Sequence, residues 1–220
     1  MIETYPDADT LADVAALAIE AELAAALRTH GRASLVATGG RSPGPVFDRL
    51  AASGDVDWGR VVVTLSDERC VEPTDLASNA KLVRERLLTG KAAKAHLLPL
   101  WPEPDPAALA ALQPFDVVML GMGEDGHIAS LIPGDPGLEA GMTGSDVTRP
   151  VPAGLGRPPV ARITLTLQAL LNARAIFLLV AGEVKRGVVE RALVGEDLPV
   201  GRLVSQSKAQ LRIFWTPDGG

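Results

Sequence analysis

Cysteine and histidine are scarce in this sequence, and their scarcity limits the chemistry available to it. Cys70 is the only cysteine in the 220 residues, so the chain forms no internal disulfide. One cysteine and three histidines are also too few for a zinc cluster of the Cys₂His₂ or Cys₄ type. A chain without disulfides fits a reducing compartment, and we predict a cytoplasmic location.

Excess basic charge and long apolar runs are lacking as well. The 21 Lys and Arg residues are outnumbered by 27 Asp and Glu residues, which gives a formal net charge of −6 and excludes a basic nucleic-acid-binding protein. No run approaches the roughly 18 apolar residues of a membrane helix. The N-terminus begins Met1-Ile2-Glu3, with an acidic residue where a signal peptide needs basic ones. We therefore predict neither a nucleic-acid partner nor a membrane partner.

The composition that is present is typical of a globular protein. Hydrophobic residues make up 47% and charged residues 22%, and 220 residues are enough to bury a sizeable core. The sequence contains no repeat with a period of about 20–50 residues and no Ser/Gly linker, so we predict one domain over residues 1–220. Residues 134–160 include five prolines and several glycines. We expect them to form an irregular excursion or lid over the surface.

Hydrophobic periodicity indicates alternating helices and strands. Helical spacing over residues 10–29 predicts a long first helix. Four short runs rich in Val, Ile, Leu and Phe lack polar alternation, which is typical of parallel strands that are covered on both faces. These runs are residues 34–37, 61–65, 115–120 and 175–180, and helical patterns accompany them at 45–52, 79–88, 107–112 and 184–193. The alternation predicts an α/β fold, a doubly wound, mainly parallel sheet with helices on both faces.

A polar cluster follows each apolar run. In open α/β sheets, ligands bind in the crevice outside the carboxyl ends of the strands, so these clusters should meet at one site. The clusters are Thr38–Pro43, Ser66–Arg69, Gly121–His127 and Ala181–Lys185. Together they supply glycines, acidic residues, a histidine and several cations.

The first cluster fits the G-x-S-x-G pattern of serine hydrolases, since it reads Gly40-Arg41-Ser42-Pro43-Gly44. The oxyanion hole of such enzymes uses the backbone N–H of the residue after the serine, and proline has none. Pro43 instead suits the first turn of a helix. We therefore interpret Gly39–Ser42 as an anion cradle at a helix N-terminus, with a plain tight turn as the alternative.

The third cluster contains the dinucleotide-binding pattern G-x-G-x-x-G at residues 121–126. Two carboxylates, Glu124 and Asp125, occupy the loop that would have to hold a pyrophosphate, and their charge opposes that role. An acidic residue about 20 positions further on should end a second strand. Asp146 follows no apolar run. The pattern therefore does not predict a dinucleotide cofactor.

Asp125-Gly126-His127 is the most informative part of that loop. Histidine has an unperturbed pKa of about 6.5, so it can accept a proton near neutral pH. A nearby carboxylate can orient the ring and stabilise its charged form. We predict a catalytic role for His127 and structural roles for His30 and His96, which lack this context.

Asp67, Arg69 and Lys185 are ambiguous on their own, since each also fits an ordinary exposed position. Beside the other clusters, Arg69 becomes a candidate for binding a phosphate and Asp67 a candidate acceptor for a hydroxyl group. Lys185 falls in the first turn of a predicted helix, where the macrodipole disfavours a cation unless an anion lies nearby. The three residues favour a small anionic ligand. Cys70 has no clear base beside it, and we expect it to pack rather than react.

Five motifs, in order, resemble those of the bacterial 6-phosphogluconolactonases over nearly the whole chain. They are Gly39–Pro43, Ser66–Val71, Gly121–Leu131, Arg162–Thr166 and Gly182–Lys185. The resemblance implies a fold like that of glucosamine-6-phosphate deaminase and ribose-5-phosphate isomerase. It implies hydrolysis of 6-phosphogluconolactone to 6-phosphogluconate in the pentose phosphate pathway, without a metal or organic cofactor. A sugar-phosphate lactone would be the small-molecule partner of a monomer or weak homo-oligomer.

The resemblance also implies roles for individual residues. His127 would be the general base that activates water, with Asp125 in support, and Asp67 would hold sugar hydroxyls. Other residues would hold the phosphate, or the oxyanion that develops on the lactone carbonyl. These substrate-binding residues are Gly39, Gly40, Arg41, Ser42, Arg69, Gly123, Arg162 and Lys185. The division of the cations between the two negative groups stays open.

The sequence departs from the family pattern at three positions beside the motifs. Ile128 stands where threonine is frequent, Ile132 replaces a frequent phenylalanine, and Ala80 replaces a frequent aromatic residue. We expect these changes to act on the shape of the site wall or on substrate preference, and to leave His127 and the cations unchanged.

Two other functions remain as alternatives. The related sugar-phosphate deaminases and isomerases also carry an Asp-Gly-His turn, although Ser66–Arg69 and Ala129–Leu131 favour the lactonase. The second alternative is a non-catalytic sugar-phosphate sensor, such as the effector domain of a transcription regulator. It is disfavoured because His127, Asp125 and Asp67 are intact and no helix-turn-helix pattern is visible.

Overall fold

The computed structural model describes residues 1–217, in which strands and helices alternate along most of the chain. The strands are β1 (Ile2–Thr4), β2 (Ala33–Ala37), β3 (Val61–Leu65), β4 (Asp67–Arg69), β5 (His96–Leu97), β6 (Phe115–Gly121), β7 (Thr148–Val151), β8 (Arg162–Leu165), β9 (Ala173–Ala181) and β10 (Gln210–Thr216). The α-helices are α1 (Ala8–His30), α2 (Pro43–Ala52), α3 (Asn79–Arg86), α4 (Pro106–Ala111), α5 (Leu138–Thr143), α6 (Leu167–Leu171), α7 (Glu183–Leu193) and α8 (Pro199–Gln206). No helix in residues 1–217 has the length and apolar character needed to span a bilayer.

The larger sheet is parallel, with the strand order β1-β10-β9-β6-β2-β3-β5. The four runs predicted as strands are β2, β3, β6 and β9, which lie side by side in it. Every residue of β2 is buried, and so is every residue of β6 except the last. Burial of both faces explains the lack of polar alternation in these strands. From β2 the chain adds β3 on one side and β6, β9 and β10 on the other, which confirms the predicted doubly wound α/β fold.

The predicted helices are found within two residues of the expected bounds. Helix α1 begins after Asp7, whose carboxylate accepts a hydrogen bond from the Thr10 N–H at 2.7 Å. It ends at Gly31, which has a φ of 73°. Both are common residues at helix ends. One face of α1 is buried, including Ile19 and Leu23, which are fully inaccessible.

Ile19→Val is expected to lower the free energy of unfolding by about 0.5–1.5 kcal/mol, because deletion of a fully buried methyl group leaves a small cavity. Leu17 on the same helix is 65% exposed. Leu17→Val is therefore the matched control and should change stability by less than about 0.5 kcal/mol. Urea unfolding of both variants makes the comparison. Equal losses would contradict the assignment of the buried face of α1.

A smaller antiparallel sheet has the strand order β4-β8-β7. Its register places Asp67 opposite Thr164 and Arg69 opposite Arg162. Strand β4 begins two residues after β3 ends. The smaller sheet therefore brings Arg162, which is distant in the sequence, to the carboxyl end of the larger sheet.

Residues 134–160 are more regular than the expected excursion, because they contain α5 and β7, and β7 pairs with β8. A buried ion pair joins the Asp135 carboxylate to the Arg149 guanidinium at 2.5 Å. Gly137 makes room for this guanidinium, since a Cβ at that position would lie 2.1 Å from the Arg149 Nη2. Residues 152–160 contain neither helix nor strand. That residues 134–160 act as a lid stays a prediction.

Candidate active site

The loops after β2, β3, β6 and β9 lie at one edge of the larger sheet. These strands are parallel neighbours in the order β9-β6-β2-β3, so their carboxyl ends point the same way. The loops are the four polar clusters that the sequence indicated. Four stretches that are distant in the sequence therefore share one edge, as expected for a ligand site in an open α/β sheet.

His127 and Asp125 form a hydrogen-bonded pair in the loop after β6. The His127 Nδ1 lies 2.5 Å from the Asp125 Oδ1, and the same oxygen accepts a hydrogen bond from the His127 backbone N–H at 3.2 Å. Gly126 between them has a φ of 79°, in the left-handed region that glycine adopts readily. With Nδ1 bonded to a carboxylate, the neutral imidazole keeps Nε2 as its proton acceptor. The structure thus contains the contact that the Asp-Gly-His turn made feasible.

The electrostatics of this pair suit a general base. The side chains of His127 and Asp125 are 28% and 47% exposed, so the ring can be reached from solvent. Burial raises the pKa of the Asp125 carboxyl, but the hydrogen bond and charge of His127 outweigh it and hold that pKa below its ordinary value. Asp125 is therefore ionised near neutral pH, and its charge can stabilise the imidazolium that forms when His127 takes a proton.

Gly123 lies directly against the His127 ring. A Cβ at this position would be 2.2 Å from both Cε1 and Nδ1 of the ring and 2.6 Å from the Asp125 Oδ1. The Gly123 backbone N–H also donates to the His127 carbonyl oxygen at 2.9 Å. Because no side chain fits here, the glycine is needed for the placement of the histidine. Its predicted contact with substrate stays a prediction.

Asp67 is buried, and both of its carboxylate oxygens contact neighbouring side chains. The Ser130 hydroxyl donates to Oδ2 at 2.6 Å, and the Arg162 Nη1 lies 3.7 Å from that oxygen. The Ser66 hydroxyl and the Asn79 amide donate to Oδ1 at 3.2 and 3.3 Å. Asp67 therefore joins segments from β3, α3, β8 and the loop after β6. That it also holds sugar hydroxyls stays a prediction.

Arg69 and Arg162 lie opposite each other on β4 and β8. The Arg69 Nη1 donates to the Ala77 carbonyl at 2.6 Å, and the Arg162 Nη2 donates to the Pro158 carbonyl at 2.9 Å. Both Nε atoms are buried and have no hydrogen-bond partner within residues 1–217. Burial lowers the pKa of Arg162. The charge of Asp67 raises this pKa, and the charge of Arg69 lowers it further. Two adjacent guanidinium groups with unused donors form a region of positive charge that can accept an oxyanion or a phosphate oxygen.

Lys185 and Arg41 supply positive charge from two other loops. Lys185 lies in the first turn of α7 and is partly buried, whereas Arg41 is exposed before α2. Burial lowers the pKa of the Lys185 ammonium group. The charge of Glu124 raises this pKa, and the charge of Arg41 lowers it further. The Lys185 ammonium group therefore lies close enough to Glu124 and Arg41 for their charges to change its pKa. An anionic ligand would relieve the repulsion between the two cations.

The Gly39–Ser42 loop has the local form expected of an anion cradle. Gly40 has a φ of 102°, and α2 begins at Pro43 with Ser42 as its N-cap. The Ser42 side chain makes no capping hydrogen bond within the described residues, so its hydroxyl is not used by the helix. Helix α2 therefore starts directly behind the cradle, as Pro43 predicted.

Three buried polar residues beside the site were not predicted as functional. The Glu68 carboxylate accepts hydrogen bonds from the backbone N–H groups of Arg69, Asn79 and Ala80, each at 2.7 Å. Asn79 and Ser130 contact Asp67 as described above. Glu68 and Ser130 lie within the quoted motifs, and Asn79 directly precedes Ala80, one of the departures from the family pattern, which was the available signal. Only the contacts distinguish them from ordinary polar residues.

The three departures from the family pattern lie beneath the site rather than on its surface. Ala80, Ile128 and Ile132 are 4%, 0% and 3% exposed. Ile132 packs near Gly156, where an added Cβ would lie 3.1 Å from its Cδ1. Any effect on substrate preference would therefore act through the packing of the loops. Burial raises the pKa of the Cys70 thiol, with a further contribution from Glu68, which agrees with a packing role.

Within residues 1–217, no group of three or more His, Cys, Asp or Glu side chains is arranged to hold a metal ion. The polar side chains of the site include a histidine and carboxylate pair beside several cations.

Most of the chain matches one family of sugar-phosphate enzymes. Residues 6–215 match the model described as glucosamine-6-phosphate isomerases/6-phosphogluconolactonase, and the chain belongs to this family. It is 40% identical to a 6-phosphogluconolactonase of Caulobacter vibrioides, over 97% of this chain and 96% of the relative. It is also 40% identical to a 6-phosphogluconolactonase of Pseudomonas putida, over 98% of this chain and 93% of the relative. The resemblance drawn from the five motifs is confirmed.

Solved structures agree with this assignment. A crystal structure of a 6-phosphogluconolactonase from Shewanella baltica matches with a TM-score of 0.90 at 35% identity, covering 98% of this chain and 97% of that chain. A monomeric glucosamine-6-phosphate deaminase matches with a TM-score of 0.74 at 18% identity, covering 98% of this chain and 96% of that chain. The second likeness shows the fold alone, and it confirms that the fold is shared with a deaminase.

Proposed function

We propose that this chain hydrolyses 6-phospho-D-glucono-1,5-lactone to 6-phospho-D-gluconate, a step of the oxidative pentose phosphate pathway. The observation that carries the proposal is the His127–Asp125 pair, held at 2.5 Å on the edge of the sheet where Arg69, Arg162 and Lys185 also lie. A general base beside several cations suits a neutral ester that carries a phosphate. The curated relatives named 6-phosphogluconolactonase support the choice of substrate.

His127 would act at its Nε2 as the general base. It takes a proton from water while the water oxygen attacks the lactone carbonyl carbon, and negative charge develops on the carbonyl oxygen. The C–O bond of the ring then breaks, and the imidazolium returns the proton to the departing ring oxygen. Asp125 stabilises the imidazolium through Nδ1. The products are the open-chain acid and the regenerated enzyme.

The cations would serve two negative groups. One is the phosphate, which is present throughout the reaction, and the other is the oxyanion, which exists only after attack. Cations that hold the oxyanion raise kcat, whereas cations that hold only the phosphate lower KM. Arg162 is the buried candidate, Arg69 and Lys185 are partly buried, and Arg41 is exposed.

The direct test follows acid release from freshly prepared lactone, with a reaction that lacks enzyme as the control because the lactone also opens spontaneously. We expect a rate well above this control. The absence of acceleration would overturn the proposal, and release of ammonia from glucosamine 6-phosphate would favour the deaminase instead. The cytoplasmic location and the monomeric or weakly oligomeric state remain predictions.

Lys185→Ala is expected to raise KM by about 10- to 100-fold with little change in kcat, since a hydrogen bond to a charged group contributes about 1.5–3 kcal/mol. The measurement is steady-state hydrolysis over a range of lactone concentrations. Lys94→Ala is the matched control, because Lys94 is exposed before β5, away from the carboxyl ends of the strands. An unchanged KM in Lys185→Ala would show that Lys185 does not contribute to substrate binding.

The same lysine predicts a pH dependence of binding. Because burial lowers the pKa of Lys185, its charge is lost at a lower pH than that of an ordinary lysine, and affinity for 6-phosphogluconate should fall as pH rises through this range. Lys185→Arg keeps its charge at these pH values and should flatten the fall. Calorimetric titration with the stable product avoids the rapid opening of the lactone in alkali.

A further inference from the structure

Asn79 is the first residue of α3 and is 1% exposed. We propose that Asn79 is a positioning residue, whose side-chain amide holds the turn at Gly39 against Asp67 and so aligns the anion cradle with the buried carboxylate. This inference rests on the proposed function, because lactone hydrolysis is its main readout. It concerns a residue that takes no part in the chemistry described above.

The amide nitrogen of Asn79 contacts Asp67 at two points. Nδ2 donates to the Asp67 carbonyl oxygen at 2.8 Å and lies 3.3 Å from its carboxylate Oδ1. A donor is needed here, because both partners are acceptors. The amide therefore fixes the backbone and the side chain of Asp67 together. Ser130 and Arg162 contact the opposite carboxylate oxygen, so the placement of Asp67 affects theirs.

The amide oxygen of Asn79 faces Gly39. A Cβ at Gly39 would lie 1.9 Å from Oδ1, 2.5 Å from Cγ and 2.8 Å from Nδ2 of Asn79. The whole amide group is thus packed against the glycine backbone. Gly39 begins the loop that leads to Gly40 and the start of α2. The position of that loop depends on the position of the Asn79 amide.

Asn79 is itself held in place by Glu68. The Glu68 carboxylate accepts from the Asn79 backbone N–H at 2.7 Å and from the Ser78 hydroxyl at 3.1 Å. The Ser78 hydroxyl also accepts the Lys81 N–H and caps α3. Glu68 is 2% exposed, so this contact is shielded from water. The amide of Asn79 therefore projects from a rigid helix end, which is the property that a positioning residue needs.

Asn79→Asp is the sharpest test, because it keeps the size of the side chain and replaces its donor with an oxygen. Residue 79 would then place a carboxylate beside that of Asp67. Two adjacent carboxylates share a proton at low pH and repel each other once both are ionised. The charged groups that face this pair are Glu68 and Arg69 on β4 and Arg162 on β8.

The expected result is a loss that grows with pH. Relative to the wild type, kcat/KM of Asn79→Asp should fall by about tenfold or more near pH 8, and the loss should be smaller at about pH 5, where two adjacent carboxylates begin to retain a shared proton. Taking the ratio to wild type at each pH removes the titration of the catalytic base. Melting temperatures at both pH values separate this effect from partial unfolding.

Asn172→Asp is the matched control. The Asn172 amide donates to the Gln113 side-chain oxygen at 3.1 Å, in an exposed contact at the start of β9, far from the carboxyl ends of the strands. Its activity ratio to wild type should stay near one at both pH values. A pH-dependent loss of the same size in Asn172→Asp would show that any new carboxylate has this effect, and would overturn the proposal.

A second pair of variants keeps the proposal testable if Asn79→Asp folds poorly. Gly39→Ala should destabilise the wild type through the clash with the amide, but should cost little in Asn79→Ala, which removes the three clashing atoms. The double variant should therefore regain stability while kcat/KM stays low. Wild-type activity in Asn79→Ala or in the double variant would overturn the positioning role.

Failure of the inference and failure of the proposed function give different results. If the wild type does not accelerate lactone opening, the proposed function fails, and the inference fails with it. If the wild type is active and the Asn79→Asp ratio is flat with pH, only the inference is overturned. An active wild type with a pH-dependent ratio supports both.

Discussion

His127→Ala lowers kcat for the lactone by about 10²–10⁴, the loss that removal of a general base produces. The reason is the geometry of the loop after β6, where Asp125 bonds Nδ1 and leaves Nε2 to accept a proton from water. No other histidine can replace it, because His30 ends α1 and His96 begins β5, on other parts of the fold. The measurement is initial-rate hydrolysis at saturating lactone, corrected for spontaneous opening.

Two controls accompany this variant. His30→Ala removes an exposed imidazole at the end of α1 and should leave kcat unchanged. Titration with 6-phosphogluconate should show that His127→Ala still binds the product within a few-fold of wild type, since the cations are intact. Wild-type kcat in His127→Ala would exclude the proposed mechanism, and loss of binding together with kcat would indicate that the loop had collapsed.

The centre of the fold was predictable because it is determined by local pattern. Strands β2, β3, β6 and β9 are covered on both faces, so they read as continuous apolar runs. The loops that follow these strands contain glycine and charged residues, which differ clearly from the apolar runs before them. The place of the site then follows from the rule that ligands bind at the carboxyl ends of such strands. The predicted clusters accordingly share one edge.

The smaller sheet was not predictable in the same way. Strand β4 has three residues, Asp67–Arg69, and reads as a charged turn. It is a strand only because β8, about a hundred residues later, pairs with it. Strand β7 contains Pro150 in a proline-rich segment, and that composition favours a loop. Pairing between distant segments leaves no periodic signal in either one.

Parts of the candidate site were hidden for a similar reason. The motif around His127 contains its carboxylate partner two residues away, so a local contact could be anticipated. Asn79 and Glu68 gain their importance from Gly39 and Asp67, whose positions relative to them depend on the fold. The buried state of Arg162 likewise comes from β8 and the carbonyl of Pro158. The motifs include Glu68 and Arg162 but not Asn79, and the contacts of all three residues depend on the fold.

The acidic character of the chain does not conflict with an anionic substrate. The net charge of −6 describes the whole surface, and the exposed Asp and Glu residues dominate it. At the carboxyl edge of the sheet, Arg162 is buried in contact with the Asp67 carboxylate, and the partly buried Arg69 lies opposite it on β4. Buried charges are screened less than exposed ones. The local field at the site can therefore be positive on an acidic protein.

Gly123→Ala is expected to lower kcat by about 10²-fold, because an added methyl group cannot fit beside the His127 ring, the proposed general base. Its Cβ would lie 2.2 Å from the Cε1 and Nδ1 of His127 and 2.6 Å from the Asp125 Oδ1, so both side chains must shift. A displaced ring misplaces Nε2 relative to the carbonyl carbon, and a displaced carboxylate weakens the support of the imidazolium. The expected signature is a fall in kcat with a smaller change in KM, since the cations proposed to bind the phosphate lie on other loops.

Gly121→Ala is the matched control for this variant. Gly121 ends β6 two residues earlier, and a Cβ there would meet no atom within 4 Å among the described residues. The same methyl group two residues earlier should therefore leave kcat within about twofold of wild type, since a substitution that touches no neighbouring atom rarely disturbs its surroundings. Equal losses in both variants would show that the loop tolerates no substitution at all. Wild-type kcat in Gly123→Ala would mean that the ring position is not what limits the reaction, and it would contradict the role of the His127–Asp125 geometry directly.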